Sequence, residues 1–198
     1  MVAVRSSPGR TLLVTSAVGG AGKTLIAYNL AVAIAQQGLR VLVIDADLRH
    51  PELHNLFGIP RSPGLGDIAE QIATSPSGGI TQHGTLPSLY VLPAGKQVGL
   101  PAEFFSSTVF DKLLAGVEGR FDYVIIDSPP VLPVTDASII ATKVDGIIGV
   151  LRSQSTTRPA FSGLLGALQR TGCPIVGFVL NDVRHPTLDG FHEYSYLR

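Results

Sequence analysis

Residues 11–25 read TLLVTSAVGGAGKTL, and this stretch decides the fold. Thr11 to Ser16 is a short apolar, β-branched run, the pattern of a buried strand. Ala17-Val18-Gly19-Gly20-Ala21-Gly22-Lys23-Thr24 then fits the spacing [AG]-x4-G-K-[ST]. From Thr24 to Gln37 the pattern is helical and apolar on most faces, with Gly38 as its stop. A strand, a glycine-rich turn and a helix in that order make a phosphate-binding loop. Small residues let backbone N–H groups turn inward around phosphate oxygens, and the helix N-terminus adds positive potential. Lys23 has the reach for β- and γ-phosphates, and the Thr24 hydroxyl suits Mg²⁺. The candidate contacts are Gly19, Gly20, Ala21, Gly22, Lys23, Thr24 and Leu25.

Outward from the loop, Arg40–Ala46 reads as a second strand, apolar until its C-terminal end. It runs into Asp45-Ala46-Asp47-Leu48-Arg49. Carboxylates two residues apart point the same way if the strand continues, so both could face a metal or one could take a proton. Phe121–Asp127 is a further buried strand, and Asp127 at its end suits a role in holding Mg²⁺. Leu89–Pro93, Gly146–Arg152 and Pro174–Asn181 complete the strands. Helical patterns cover Pro51–Phe57, Leu65–Ala73, Pro101–Gly119 in two pieces, Ala137–Thr142 and Thr156–Thr171. Residues 74–87, rich in Ser, Gly, Thr and Pro, read as a surface loop. Strands apolar on both faces, alternating with helices, predict an α/β fold. Its form is a P-loop NTPase-like three-layer sandwich with a mostly parallel central sheet. Ligands in such sheets lie beyond the carboxyl ends of the strands, where Lys23, Asp45, Asp47 and Asp127 fall.

Composition narrows the function classes. The 198 residues carry 15 Lys+Arg and 15 Asp+Glu, a net charge of zero that gives no sign of nucleic-acid or anionic-lipid attraction. Hydrophobic residues make up 45% and charged residues 15%, which excludes disorder as the general state. No apolar run reaches the roughly 18 residues of a membrane span, so the positive mean hydropathy of +0.32 belongs to buried elements and no membrane insertion is expected. The single cysteine, Cys173, makes neither an internal disulfide nor a cysteine-based zinc site, and points to a reduced, intracellular setting.

At these motifs the chain resembles the bacterial tyrosine kinases of capsule and exopolysaccharide synthesis, in the deviant P-loop ATPase group. The resemblance spans about Thr11 to Val183. It rests on the loop, on IDADLRHPELHNLFG (44–58), on LPAGKQVGLPAEFFSS (92–107), on FDYVIIDSPPVLPVTDA (121–137) and on FVLNDV (178–183). It implies ATP, Mg²⁺ and γ-phosphoryl transfer to tyrosine. Lys23 and Thr24 match the family's Walker-A residues, Asp45 and Asp47 its second aspartate pair, and Asp127 its Walker-B residue. Asp45 is favoured as base, and Asp47 as a metal or water ligand alongside Thr24 and Asp127. The related MinD- and ParA-type ATPases typically carry a Lys before the paired glycines. Val18 stands there, which favours the kinase branch over a nucleotide-dependent ATPase switch.

The resemblance divides the chain into an extension (1–10), a P-loop ATP-binding kinase domain (11–183) and a tail (184–198). It implies a membrane-spanning chain-length regulator as activator, assembly as a homo-oligomer and a place at the inner face of the cell membrane. The tail holds two tyrosines, Tyr194 and Tyr196, where the family usually has a cluster. They are candidate phospho-acceptors, with packing on the domain edge as the competing reading. Asn181 is a candidate adenine contact or a turn cap. Arg152 could line the nucleotide site or bridge protomers, Arg49 could orient the aspartates or contact a neighbour, and Asp136 is expected to cap the helix that follows it.

Overall fold

The computed structural model describes residues 11–70 and 79–183. The extension 1–10 and the tail with Tyr194 and Tyr196 lie outside the described residues. The elements in chain order are β1 (Thr11–Ser16), α1 (Lys23–Ala35), β2 (Val41–Asp45), α2 (Leu53–Phe57), α3 (Leu65–Glu70), β3 (Thr81–Gln82), β4 (Leu89–Leu92), α4 (Pro101–Ser106), α5 (Thr108–Val117), β5 (Tyr123–Asp127), α6 (Asp136–Ala141), β6 (Gly146–Arg152), α7 (Arg158–Arg170) and β7 (Ile175–Asn181).

The strands form one seven-stranded sheet in the order β3-β4-β2-β5-β1-β6-β7. All pairings are parallel except β3 with β4. Successive residues of the inner strands feed opposite cores. Leu13, Ile44 and Ile126 join α3 to α7 on one face. Val14, Val43 and Ile125 join α1 and α2 on the other. This is the three-layer arrangement expected when strands are apolar on both sides. Ala27, Ala31 and Ala35 are buried along α1 at spacings of four, so a stripe of small side chains faces the sheet and lets the helix lie close to it.

The structure differs from the sequence reading at residues 81–82. This expected loop pairs antiparallel with Val91 and Tyr90 of β4. Gln82 Nε2 donates to Pro87 O at 2.7 Å and His83 N to Leu89 O at 2.8 Å. Two exposed residues are too few to show a strand period, so the pairing is set by the turn around them.

A second feature, where the start of α3 meets the chain just after β4, is a contact that no periodic pattern marks. Residues 61–67 and 93–96 are joined backbone to backbone. Leu65 N donates to Pro93 O at 2.8 Å, Gly66 N to Ala94 O at 2.7 Å and Gly95 N to Arg61 O at 2.9 Å. Asp67 sits in the middle and accepts from Gly64 N (2.8 Å), Lys96 N (3.2 Å) and the Ser62 hydroxyl (3.0 Å). Burial works to raise its carboxyl pKa. Those hydrogen bonds and the Lys96 charge outweigh burial and hold it below the usual carboxylate range. A Cβ at Gly64 would lie 2.2 Å from Pro93 O, too close for any side chain. Gly64→Ala is therefore expected to cost about 3 kcal/mol. Gly84→Ala, where a Cβ meets nothing within 4 Å, should stay within about 0.5 kcal/mol. Urea unfolding of the two variants against the parent chain measures the difference.

Candidate active site

The glycine loop links β1 to α1, and its shape needs residues without a Cβ. Gly20 and Gly22 have φ of +77° and +88°, in the left-handed region. The loop's carbonyls are turned outward and held from outside. Val18 O accepts from the Ser16 hydroxyl at 2.7 Å. Gly20 O accepts from Arg152 Nη1 at 3.1 Å. Ala21 O accepts from Asn181 Nδ2 at 3.0 Å. The N–H groups of Gly19 to Leu25 donate to no backbone carbonyl among the described residues, and the first bond of the helix is Ile26 N to Gly22 O. With the acceptors facing out, the donors are left to face an anion, the arrangement that suits phosphate. Gly22 also allows the approach of Asn181, since a Cβ there would lie 2.2 Å from Asn181 Nδ2.

The stretch after β5 braces the loop from the other side. The Ser128 hydroxyl donates to Val14 O at 3.0 Å and the Thr15 hydroxyl to Pro129 O at 3.0 Å. Val131 N donates to Ser16 O at 2.9 Å and Leu132 N to Ala17 O at 3.3 Å.

The carboxylates arrive from two neighbouring strands. Asp45 and Asp127 are register partners at the ends of β2 and β5, and Asp127 is also level with Val14 of β1. Both are fully buried. Asp45 Oδ2 accepts from Leu53 N at 3.1 Å, while its Oδ1 has no hydrogen-bond partner among the described residues. Burial first, then the charge of Asp127, raises the Asp45 pKa to about 8, with Asp47 adding to the rise. Asp127 is pushed up to about 7 by burial. The Thr24 hydroxyl and the Lys23 ammonium pull it back, while Asp47 and Glu52 add to the rise. Both Asp127 oxygens nonetheless lack a hydrogen bond of ordinary geometry. Such orphaned oxygens, with the Thr24 hydroxyl beside them, fit a hard cation that takes its remaining ligands from phosphate and water. Among the described residues no cluster of three or more His, Cys, Asp or Glu forms a self-sufficient metal cage.

Lys23, Thr24, Asp45, Asp47 and Asp127 thus come together as one cluster. Asp47 lies past the end of β2, so the idea of two carboxylates along one continuing strand gives way to a strand end and a turn. Its Oδ1 accepts from His50 N at 3.0 Å. Asp136 is corrected: it is the first residue of α6, Thr135 precedes it as N-cap, and no side chain caps that end. Its fully buried carboxylate instead holds Arg49, with Nε–Oδ2 at 2.8 Å and Nη2–Oδ1 at 3.2 Å. Arg152 reaches the loop and also donates to Asp182 Oδ2 at 3.0 Å. The loop contacts of Ser16, Thr15 and Ser128 carried no sequence signal, because single hydroxyls in apolar strands have many other uses.

Comparison with known proteins follows the same geometry. The profile of the AAA domain matches residues 9–165. The tyrosine-protein kinase YwqD of Bacillus subtilis (strain 168) is 34% identical over 187 residues, covering 94% of this chain and 77% of that protein. The chain belongs to the bacterial tyrosine-protein kinases of this AAA-domain family. The kinase domain of the Escherichia coli tyrosine kinase ETK superposes with a TM-score of 0.85 at 30% identity, over 96% of this chain and 74% of that one. The tyrosine-protein kinase ptk of Acinetobacter johnsonii is 34% identical over 182 residues. There the chain spans only a quarter of the relative's length. The cell-division ATPase MinD of Pyrococcus furiosus shares the fold at a TM-score of 0.73 and 26% identity. Kinase-family membership and the P-loop α/β fold therefore agree with the sequence reading.

The raised carboxyls of this kinase domain have a stability cost with a definite sign. In the unfolded chain an aspartate ionises near 3.8, whereas folded Asp45 keeps its proton to about pH 8. Between those limits the folded state binds more protons, so this contribution to stability falls as pH rises through the window. In the absence of Mg²⁺ and nucleotide, the thermal midpoint of the parent protein is expected to fall from pH 5 to pH 8.5, and that of Asp45→Asn to fall less. Parallel pH profiles would count against buried, protonated Asp45.

Proposed function

We propose that this chain is the catalytic domain of an ATP-dependent, autophosphorylating protein-tyrosine kinase that regulates exopolysaccharide or capsule synthesis and export. One observation carries the reading: Asp45 and Asp127, paired across β2 and β5, meet Lys23 and Thr24 of the glycine loop in a buried cluster with unpartnered oxygens. Such a site is built for charge neutralisation and proton removal, which is most of what phosphoryl transfer asks of a protein.

The loop amides and Lys23 bind and orient the phosphates of ATP. Thr24, Asp47 and Asp127 would hold Mg²⁺, which when bound offsets phosphate charge. Asp45, once ionised, receives the proton of the acceptor hydroxyl at Oδ1; positive charge from bound Mg²⁺ would lower its raised metal-free pKa toward neutral pH. Tyr194 and Tyr196 are the acceptors. Asn181 holds the loop by donating one of its two amide N–H groups to Ala21 O, which supports a positioning role over a base contact. Among the described residues no helix is long and apolar enough to cross a membrane. By likeness to the family, the proposed setting is the inner face of the cell membrane, reached through a membrane-spanning chain-length regulator that activates a homo-oligomer.

Two experiments test this. Incubated with Mg-ATP and an activator fragment, the chain should acquire phosphotyrosine, mapped by mass spectrometry. Lys23→Met should lower the yield at least about 100-fold. Tyr194→Phe/Tyr196→Phe should remove the signal while ADP formation persists. ADP without phosphotyrosine in the parent chain would replace the kinase with a MinD- or ParA-like switch. Separately, Asn181→Ala should weaken ATP and GTP binding by the same factor, measured calorimetrically. A selective loss of ATP would make Asn181 a base reader instead.

A further inference from the structure

Beside the carboxylate cluster lies a cavity of about 350 Å³ that the phosphate chemistry does not use. Its walls come from the residues that follow β2, including Leu48 and Arg49, and from those that follow β4, including Gln97, Val98 and Pro101, with Arg61 at its side. β2 and β4 are neighbours, so the cavity opens at the same sheet edge as Asp45 and Asp47. Among the described residues no carboxylate lines it, while two guanidinium groups do.

Both guanidiniums are held in place by the fold. Arg49 is clamped by the fully buried Asp136 through Nε and Nη2, which leaves Nη1 without a hydrogen bond among the described residues. Arg61 donates from Nε to Gly95 O at 2.9 Å, and its own carbonyl accepts from Gly95 N at 2.9 Å. The Asp67 cluster therefore fixes the base of Arg61, and its terminal nitrogens have no partner among the described residues. A planar, pre-positioned donor fork is the form in which Arg recognises carboxylate and phosphate, because little side-chain freedom remains to be lost on binding. Leu48 and Val98 supply apolar wall for the stem or ring that carries the anion.

We propose that this groove is a recognition subsite for an anionic side chain flanking the acceptor tyrosine, either a carboxylate or the phosphate of a phosphotyrosine. The proposal rests on the kinase reading above. Placement supports it: Leu48 and Arg49 of the cavity wall directly follow Asp47 in the turn after β2. In this chain Glu193 precedes Tyr194, and Tyr196 follows it by two positions. Modification of one tyrosine would then create the anion that seats the next, which gives tail phosphorylation an order.

The test uses peptides of residues 190–198, unmodified, with Glu193→Gln, or phosphorylated at Tyr196. Their binding to the full chain with Mg-ADP is read by fluorescence anisotropy. The phosphopeptide should bind about 10-fold tighter than the unmodified one, and the Gln peptide more weakly than both. Arg61→Gln should abolish these differences, and Arg61→Lys should keep part of them. In turnover assays Arg61→Gln should raise KM for the phosphopeptide about 10-fold at unchanged kcat and unchanged KM for ATP. Equal affinity for the three peptides, or an equal loss for all of them in Arg61→Gln, overturns the subsite. Charge-dependent binding without any phosphotyrosine product would leave the subsite standing and overturn the kinase reading.

Discussion

Burying ionisable carboxyls side by side is costly for a fold, and this one does it at the centre of its site, where burial and mutual repulsion hold protons on them. Asp45 and Asp127 are level with each other on adjacent strands, both without solvent exposure, and Asp47 adds a third acidic group. Lys23 and Thr24 offset part of the burden on Asp127 but leave its oxygens unpartnered. The rest of the architecture can be read as what is needed to keep such a cluster in place. Apolar strands with both faces covered provide a rigid edge, and the turns after that edge donate the Leu53 and His50 amides to the carboxylates. A protein selected for stability alone would remove these carboxyls. Retaining them fits the proposed chemistry better than any need of stability.

The glycine loop illustrates how little of a binding site is local. Its own residues supply the left-handed turns and the free amides. The outward pull on its carbonyls comes from Arg152 and Asn181, at the ends of β6 and β7. Replacing either would change the loop without touching a phosphate contact. The ends of β6 and β7 thus shape the loop from outside the glycine motif.

Much of this was legible in the chain. The strand-loop-helix context of residues 11–37 and the apolar runs ending in Asp45 and Asp127 specified a parallel sheet with its site at one edge, because buried strands and glycine turns leave strong periodic and compositional marks. The Asp67 cluster left no such mark: it depends on Gly64 and Gly95 meeting across the fold, and a glycine in a loop is ambiguous until its neighbour is known. Asp136 was misread for a related reason. An aspartate at a helix start is commonly a cap, and only the buried approach of Arg49 from after β2 reveals its other use.

The sheet order also has a consequence for biosynthesis. β1 is inserted between β5 and β6, and the bond from Thr15 to Pro129 spans 114 residues. The bond from Asn181 to Ala21 spans 160. A chain emerging from the ribosome therefore displays its glycine motif early but has no partner strands to shape it until most of the polypeptide has appeared. Nucleotide capture is deferred to the completion of the domain, so a truncated translation product carries the motif without the means to use it.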